Sequence, residues 1–263
     1  MDLPKIANKP GITQNALKVI AVVAMTVDHS TWTFFPGFRT DFPVILLHIV
    51  GRLTAPIMMF SIVEGYYHTS NIKKYLARLF IFAVISHFAY ALLMTPGKLS
   101  LAQSGRPFID RFIPLKTGVF DQTSVIWAFA LGLTALIIYK SEDPRLKYWH
   151  KMALVWVCLI AAFIADWSTP AAVSILYMGR NRGNFRRQML WFMLWMAAYA
   201  AVYAIFLNVT YGLIQLFVAM VIPILHFYNG ERGKWKGMKW FFYAYYPLHL
   251  TVLGLVGLWM SSR

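Results

Sequence analysis

A single cysteine, Cys158, occurs in the 263 residues of this chain, which excludes an intrachain disulfide and leaves a thiol in apolar company. Acidic residues are also scarce, with 10 Asp and Glu against 25 Lys and Arg and a formal net charge of +15. Charged residues of both signs make up only 13% of the chain, where a soluble domain carries about a quarter. With 59% hydrophobic residues and a mean hydropathy of +0.56, that shortage argues against an ordinary soluble enzyme domain. It points instead to an all-α, polytopic integral membrane bundle. The basic excess does not imply a nucleic-acid partner, because the cations sit in short connections between apolar runs, where they orient membrane spans. No A-x-A-like cleavage site follows the first apolar run, so that run is expected to remain as a signal anchor.

About nine apolar segments can be read, at 17–35, 44–67, 76–95, 121–139, 151–166, 169–180, 189–207, 211–229 and 240–260. The fifth and sixth could form one hairpin with a broken helix, since the sixth is short and begins at Thr169-Pro170. Basic connections alternate with nearly neutral ones. The basic ones hold Lys73, Lys74 and Arg78; Lys140, Arg145, Lys147 and Lys151; Arg180, Arg182, Arg186 and Arg187; and Arg232, Lys234, Lys236 and Lys239. With Lys5, Lys9 and Lys18 at the start, this alternation puts the N-terminus in the cytoplasm and the C-terminus outside. The connection at 96–119 is long, extracytoplasmic and irregular, broken by Pro96-Gly97, Gly105-Arg106-Pro107 and Ile113-Pro114. Residues 1–263 read as one integral membrane domain.

The most informative feature is Asp28-His29, set deep in the first apolar run. An aspartate near mid-membrane costs roughly 2.5–3.5 kcal/mol on insertion scales, so such a residue is expected to serve a reaction, a proton path or a ligand. At about 1.5 Å per residue, His29 lies about 18 Å from the cytoplasmic end of its span and Arg52 about 12 Å below the outer surface. These depths overlap, so an Asp28 carboxylate or His29 ring can meet the Arg52 guanidinium. Neighbours in a helix do not face each other, so Asp28 and His29 each need a partner from elsewhere. His48, one turn above Arg52, is a second candidate. Pro56 cannot bond the Arg52 carbonyl, which predicts a kink there.

At the inner end, Glu64 is placed to pair with Arg78, next to His68. Arg180, Arg182, Arg186 and Arg187 could complete a basic vestibule for an anionic cosubstrate, or serve only as topology signals and lipid-headgroup contacts. His87 sits mid-span, and Asp121 and Asp166 lie at outer rims, where helix capping is the ordinary role of an aspartate. His249 follows Pro247 in the aromatic run Tyr243–Leu250. No metal-ligand spacing appears.

Taken in order, several motifs resemble the TraX family of conjugal transfer proteins. They are Leu17-Lys18-Val19-Ile20-Ala21, Met25-Thr26-Val27-Asp28-His29, Gly51-Arg52-Leu53-Thr54-Ala55-Pro56, Glu64-Gly65-Tyr66-Tyr67-His68-Thr69, Tyr75-Leu76-Ala77-Arg78-Leu79 and the run from Tyr243 to Leu250. The chain departs from the family pattern at Phe120-Asp121-Gln122-Thr123 and at Ala165-Asp166-Trp167-Ser168. The resemblance implies a membrane acetyltransferase of the F-pilin N-acetylase type, with acetyl-CoA as cytoplasmic cosubstrate. The acceptor would be an amine or hydroxyl, on pilin or a surface polymer, presented on the outer side.

On this reading His29 is the general base, which its ordinary basicity suits. Asp28 orients the imidazole or stabilises its charge, directly or through a neighbouring helix. Arg52 holds the carboxylate or stabilises the oxyanion. Glu64, His68, Arg78, Arg180, Arg182 and His249 are expected around the coenzyme. Direct transfer and an acetyl-histidine intermediate are both open. Two other classes compete: a proton-coupled transporter, since intramembrane Asp, His and Arg also build relays, and a non-catalytic pilus or secretion assembly factor. No inverted repeat favours the transporter. The oligomeric state is not readable.

Overall fold

The computed structural model describes residues 10–94, 113–114 and 122–263. The expectations placed on Lys5, Lys9, Asp121 and nearly all of 96–119 fall outside those residues. Among the described residues the chain is all-helical, with only two isolated β-bridges, Ile12 to Tyr228 and Thr123 to Ala165.

Helix α1 spans Gln14–Phe34 and begins where the Thr13 hydroxyl accepts from the Ala16 amide. It continues into α2 (Phe42–Gly51), α3 (Thr54–His68) and α4 (Ile72–Met94). Then come α5 (Val125–Lys140), α6 (Tyr148–Ala161), α7 (Ser168–Arg180) and α8 (Phe185–Phe206). The last are α9 (Val209–Leu216), α10 (Val221–His226) and α11 (Met238–Ser261). Five helical stretches are long and apolar enough to cross a membrane: Phe42–His68, Ile72–Met94, Phe185–Phe206, Val209–His226 and Met238–Ser261. Their outer faces carry large apolar side chains such as Ile81, Phe88, Leu190, Ile205, Leu248 and Leu255, as lipid contact requires.

The expected count of nine spans is therefore not supported. The other four segments are helical but fall short in different ways. Helix α1 has the length, but Lys18, Asp28 and His29 dilute its apolarity. Helices α5, α6 and α7 have 16, 14 and 13 residues.

Contacts fix the relative directions of the helices. Thr26 Oγ1 meets Tyr245 Oη at 2.6 Å and His29 meets His249 at 2.8 Å, so α1 and α11 run parallel. Gln14 bonds Ser61 and Thr54 bonds Ala21, so α3 runs antiparallel to α1. Helix α5 is enclosed by α3, α4, α6 and α7, and Ala128, Leu133, Ala135 and Leu136 have no exposed surface. An apolar surface on all sides is what a central helix needs.

The second apolar segment is interrupted at Arg52-Leu53, where Leu53 N–H bonds the Val50 carbonyl instead of continuing the α-helical ladder. Pro56 then sits in the first turn of α3, where a missing N–H is tolerated. The helix is interrupted where a kink was expected, and Arg52 is buried at the break. The fifth and sixth segments form a hairpin. Its turn runs through Ala162–Ile164, a short 3₁₀ piece, to Trp167 at φ 59° and Ser168 at φ 50°. A bulky residue in the left-handed region is strained and persists only where its surroundings hold it. Here Thr123 N bonds Ile164 O at 2.8 Å, Asp166 N bonds Thr123 O at 2.8 Å, and the Ser168 hydroxyl bonds Phe163 O at 2.8 Å.

Helices α5 and α7 approach closely at Gly132, where a Cβ would lie 2.9 Å from Ala172 Cα and 2.9 Å from its carbonyl oxygen. Because those are backbone atoms, the helices themselves must move. Gly132→Ala is expected to cost about 1–3 kcal/mol through overpacking, read as a lowered melting midpoint of the detergent-solubilised protein.

Candidate active site

Asp28 and His29, adjacent on α1, face different neighbours. Asp28 turns toward α2, where Gly51 makes the approach possible: a Cβ there would fall 2.4 Å from Asp28 Oδ1. The Arg52 Nη2 donates to Asp28 Oδ1 at 3.1 Å and Oδ2 at 3.2 Å, and His48 Nδ1 donates to Oδ1 at 2.9 Å. Two further groups hold the guanidinium: Gln215 Oε1 accepts from Nη1 at 2.9 Å, and the Trp167 ring lies 5.2 Å from its centre. Arg52 Nε also donates to the His48 carbonyl at 3.2 Å. The pair expected from matching depths is therefore formed. Gln215 and Trp167 complete it from α9 and the strained turn, at sequence distances that periodicity does not reveal.

His29 faces α11. Its Nδ1 lies 2.8 Å from His249 Nε2, and His249 Nδ1 lies 2.9 Å from the Tyr245 carbonyl oxygen. The two imidazoles are within 13° of parallel with centroids 5.0 Å apart. That separation is close to the largest that a 2.8 Å nitrogen contact permits, so the rings meet end to end in one plane. Among the described residues, His29 Nε2 has no hydrogen-bond partner. Of the two routes by which Asp28 was expected to act on His29, the direct one is absent, because the Asp28 carboxylate is engaged by Arg52 and His48. His249, expected beside a coenzyme, lies behind His29.

A cavity of about 950 Å³ runs along α1. His29, Asp28, Gly51, Asp166 and Trp167 line one part of it, and Lys18, Lys74, Arg78, Arg232 and Lys239 line another. Met25, Met58, Phe129, Phe242 and Tyr246 supply apolar wall. Lys18 and His29 are eleven residues apart, about three helical turns and about 16 Å, so one face of α1 connects the cations to the imidazole. That spacing is visible in the sequence and identifies Lys18, which sequence reasoning counted only as a topology charge. Asp166 belongs to the cavity. Its Oδ1 accepts from the Trp167 amide at 2.9 Å, a contact within the turn rather than a helix cap, and it lies at the site rather than at a solvated rim.

At the inner end, Glu64 pairs with Arg182 instead of Arg78. Arg182 Nε and Nη2 donate to the two carboxylate oxygens at 2.9 and 3.2 Å, the fork geometry that arginine favours. The contact holds the Arg182 pKa above its ordinary value. Tyr67 lies beneath the guanidinium at 4.4 Å, and its hydroxyl donates to the Gly179 carbonyl at 2.8 Å. His68 is 3.6 Å from Glu64 and lines the cavity with it. Arg180 stacks over Tyr139 and Tyr177 at 5.3 and 5.9 Å. Neither Arg180 nor Arg182 lines the cavity, nor do Arg186 and Arg187, so the basic vestibule is built by other cations. Glu64 takes up Arg182 and the faces of Tyr139 and Tyr177 take up Arg180, whereas Arg78 lies over Tyr75, itself part of the cavity wall. Among the described residues, no cluster of three or more His, Cys, Asp or Glu could hold a metal ion.

The TraX protein family model matches residues 13–257. The probable fimbrial assembly protein FimC, serogroup H1, of Dichelobacter nodosus is 30% identical over 242 residues, spanning 90% of this chain and 92% of its own length. No solved structure matches. The motif order read from Leu17 to Leu250 thus agrees with a match over nearly the whole chain, and the protein belongs to the TraX family.

Proposed function

We propose that this protein is an acetyltransferase embedded in the bacterial cytoplasmic (inner) membrane, moving an acetyl group from cytoplasmic acetyl-CoA to an amine or hydroxyl near the outer side. The observation that carries the reading is the single cavity joining five cations to His29 along one face of α1. Acetyl-CoA is a polyanion with a long thin arm ending in a thioester. The phosphates suit the Lys18, Lys74, Arg78, Arg232 and Lys239 end, and the arm suits the apolar wall leading to the imidazole. Lys18, Lys74, Arg232 and Lys239 also lie in or beside segments that the charge pattern assigns to the cytoplasm. This agrees with an N-terminus on that side; a path of about nine crossings would need α1 and the short helices α5, α6 and α7 as well as the five long stretches.

In the transfer step a neutral amine or a hydroxyl attacks the thioester carbonyl while His29 Nε2 takes the proton from the attacking atom. Collapse of the tetrahedral adduct breaks the carbon–sulfur bond, and the same proton passes to the departing sulfur as free CoA thiol. Arg52 is engaged on Asp28 and does not line the cavity, so its role is to hold that carboxylate in place rather than to meet the oxyanion. A second reading, a non-catalytic factor for pilus assembly, is favoured by the name of the Dichelobacter nodosus relative. A fimbrial or pilin acceptor would reconcile the enzymatic reading with that name.

Membranes supplied with labelled acetyl-CoA are expected to lose about 10²–10⁴-fold in transfer rate on His29→Ala. Equal incorporation would overturn the enzymatic reading and leave the assembly role. Lys74→Gln or Arg232→Gln should raise the KM for acetyl-CoA with kcat little changed, an effect that shrinks as salt is added, whereas Arg180→Gln should leave KM where it is. In a Cys158→Ser background, a cysteine at position 39 should react with a membrane-impermeant maleimide in intact cells. One at position 234 should react only after permeabilisation, and the reverse pattern would invert the orientation.

A further inference from the structure

His249 is 7% exposed and is absent from the cavity wall, so it cannot touch a substrate held there. It nevertheless makes the only hydrogen bond to the His29 ring among the described residues, and its own second nitrogen is committed to a backbone carbonyl. A carbonyl can only accept, so His249 Nδ1 carries a proton and donates it to Tyr245. In the neutral ring, His249 Nε2 is then a lone pair. The proton in the 2.8 Å contact therefore belongs to His29 Nδ1, and His29 Nε2 is left unprotonated. The end-on, nearly coplanar arrangement of the rings is the geometry such a bond requires.

We propose that His249 is the positioning residue of this site, fixing His29 in the tautomer whose Nε2 lone pair is available to the acceptor. An aspartate performs this service in the familiar serine hydrolase triad. Here the nearby carboxylate is held by Arg52 and His48, and a neutral imidazole anchored to a helix carbonyl takes its place. Two contacts fix the anchor: the Thr26 hydroxyl meets Tyr245 Oη at 2.6 Å, and the Tyr245 ring lies parallel to His249 at 5.0 Å. When His29 Nε2 takes a proton, Nδ1–H keeps its acceptor, so the imidazolium is not left with an unpaired buried donor.

The catalytic consequence rests on the acetyltransferase reading, but the tautomer does not, and the test separates them. In nanodiscs, the protein labelled with ¹⁵N-histidine is compared with its His29→Ala variant to assign the His29 signals. The expected result is a protonated Nδ1, an unprotonated Nε2, and a coupling across the bond to His249 Nε2. A protonated His29 Nε2 in the native chain would overturn the proposal. His249→Leu should release the tautomer and lower kcat about 10²-fold with the acetyl-CoA KM unchanged. His249→Gln, whose amide oxygen can accept from Nδ1–H, should restore both the tautomer and kcat to within about tenfold of native. A His249→Leu protein that keeps its His29 tautomer and its kcat would also overturn it. If the nitrogen signals behave as expected in a chain that transfers no acetyl group, the pairing stands and the enzymatic reading falls.

Discussion

The constraint on which the site depends is the Asp28–Arg52 ion pair, held between α1 and the break after α2. Two charges removed from water are costly, and their attraction compensates only if the remaining donors and acceptors are also satisfied. This pair meets that condition. His48 takes the second contact to the carboxylate, while Gln215 and the face of Trp167 hold the guanidinium. Each partner ties a different part of the chain to the same point, so the pair sets the registry of α1, α2, α9 and the α6–α7 turn.

That registry has local consequences. Gly51 is needed because the Asp28 side chain occupies the space of its missing Cβ. The strained backbone at Trp167 is tolerated because the turn is pinned by Thr123 and because the indole lies against the guanidinium. With Asp28 committed to α2 and Arg52, its neighbour His29, about 100° further round the helix, is directed toward α11, and both line the cavity. Adjacency in a helix thus divides the two groups between a structural pair and a chemically available ring.

The inner half follows a similar division among the cations. Arg182 ties α3 to the end of α7 through Glu64, while Arg180 lies over Tyr139 of α5. The cations left along the cavity come from three separate stretches of chain, at Lys18, at Lys74 and Arg78, and at Arg232 to Lys239. The N-terminal segment helps assemble them. Gln14 and Asn15 amides bond the carbonyls of Glu231 and Arg232, which draws the last connection up against the start of α1. The TraX family match runs from Thr13 at the first helix cap into α11.

By itself the sequence determined the helical class, the approximate limits of the apolar runs, the interruption near Pro56 and the matching levels of Asp28 and Arg52 along their helices. Rise per residue is a local property, so position along a span converts to depth without knowledge of the fold. Tertiary structure alone decided which neighbour each polar group meets. Rotation about a helix axis and the choice of packing partner depend on contacts between distant segments, such as His29 with His249 and Arg52 with Gln215. Glu64 shows the limit well: charge and nearness along the chain pointed to Arg78, and only the packing of α3 beside α7 selected Arg182.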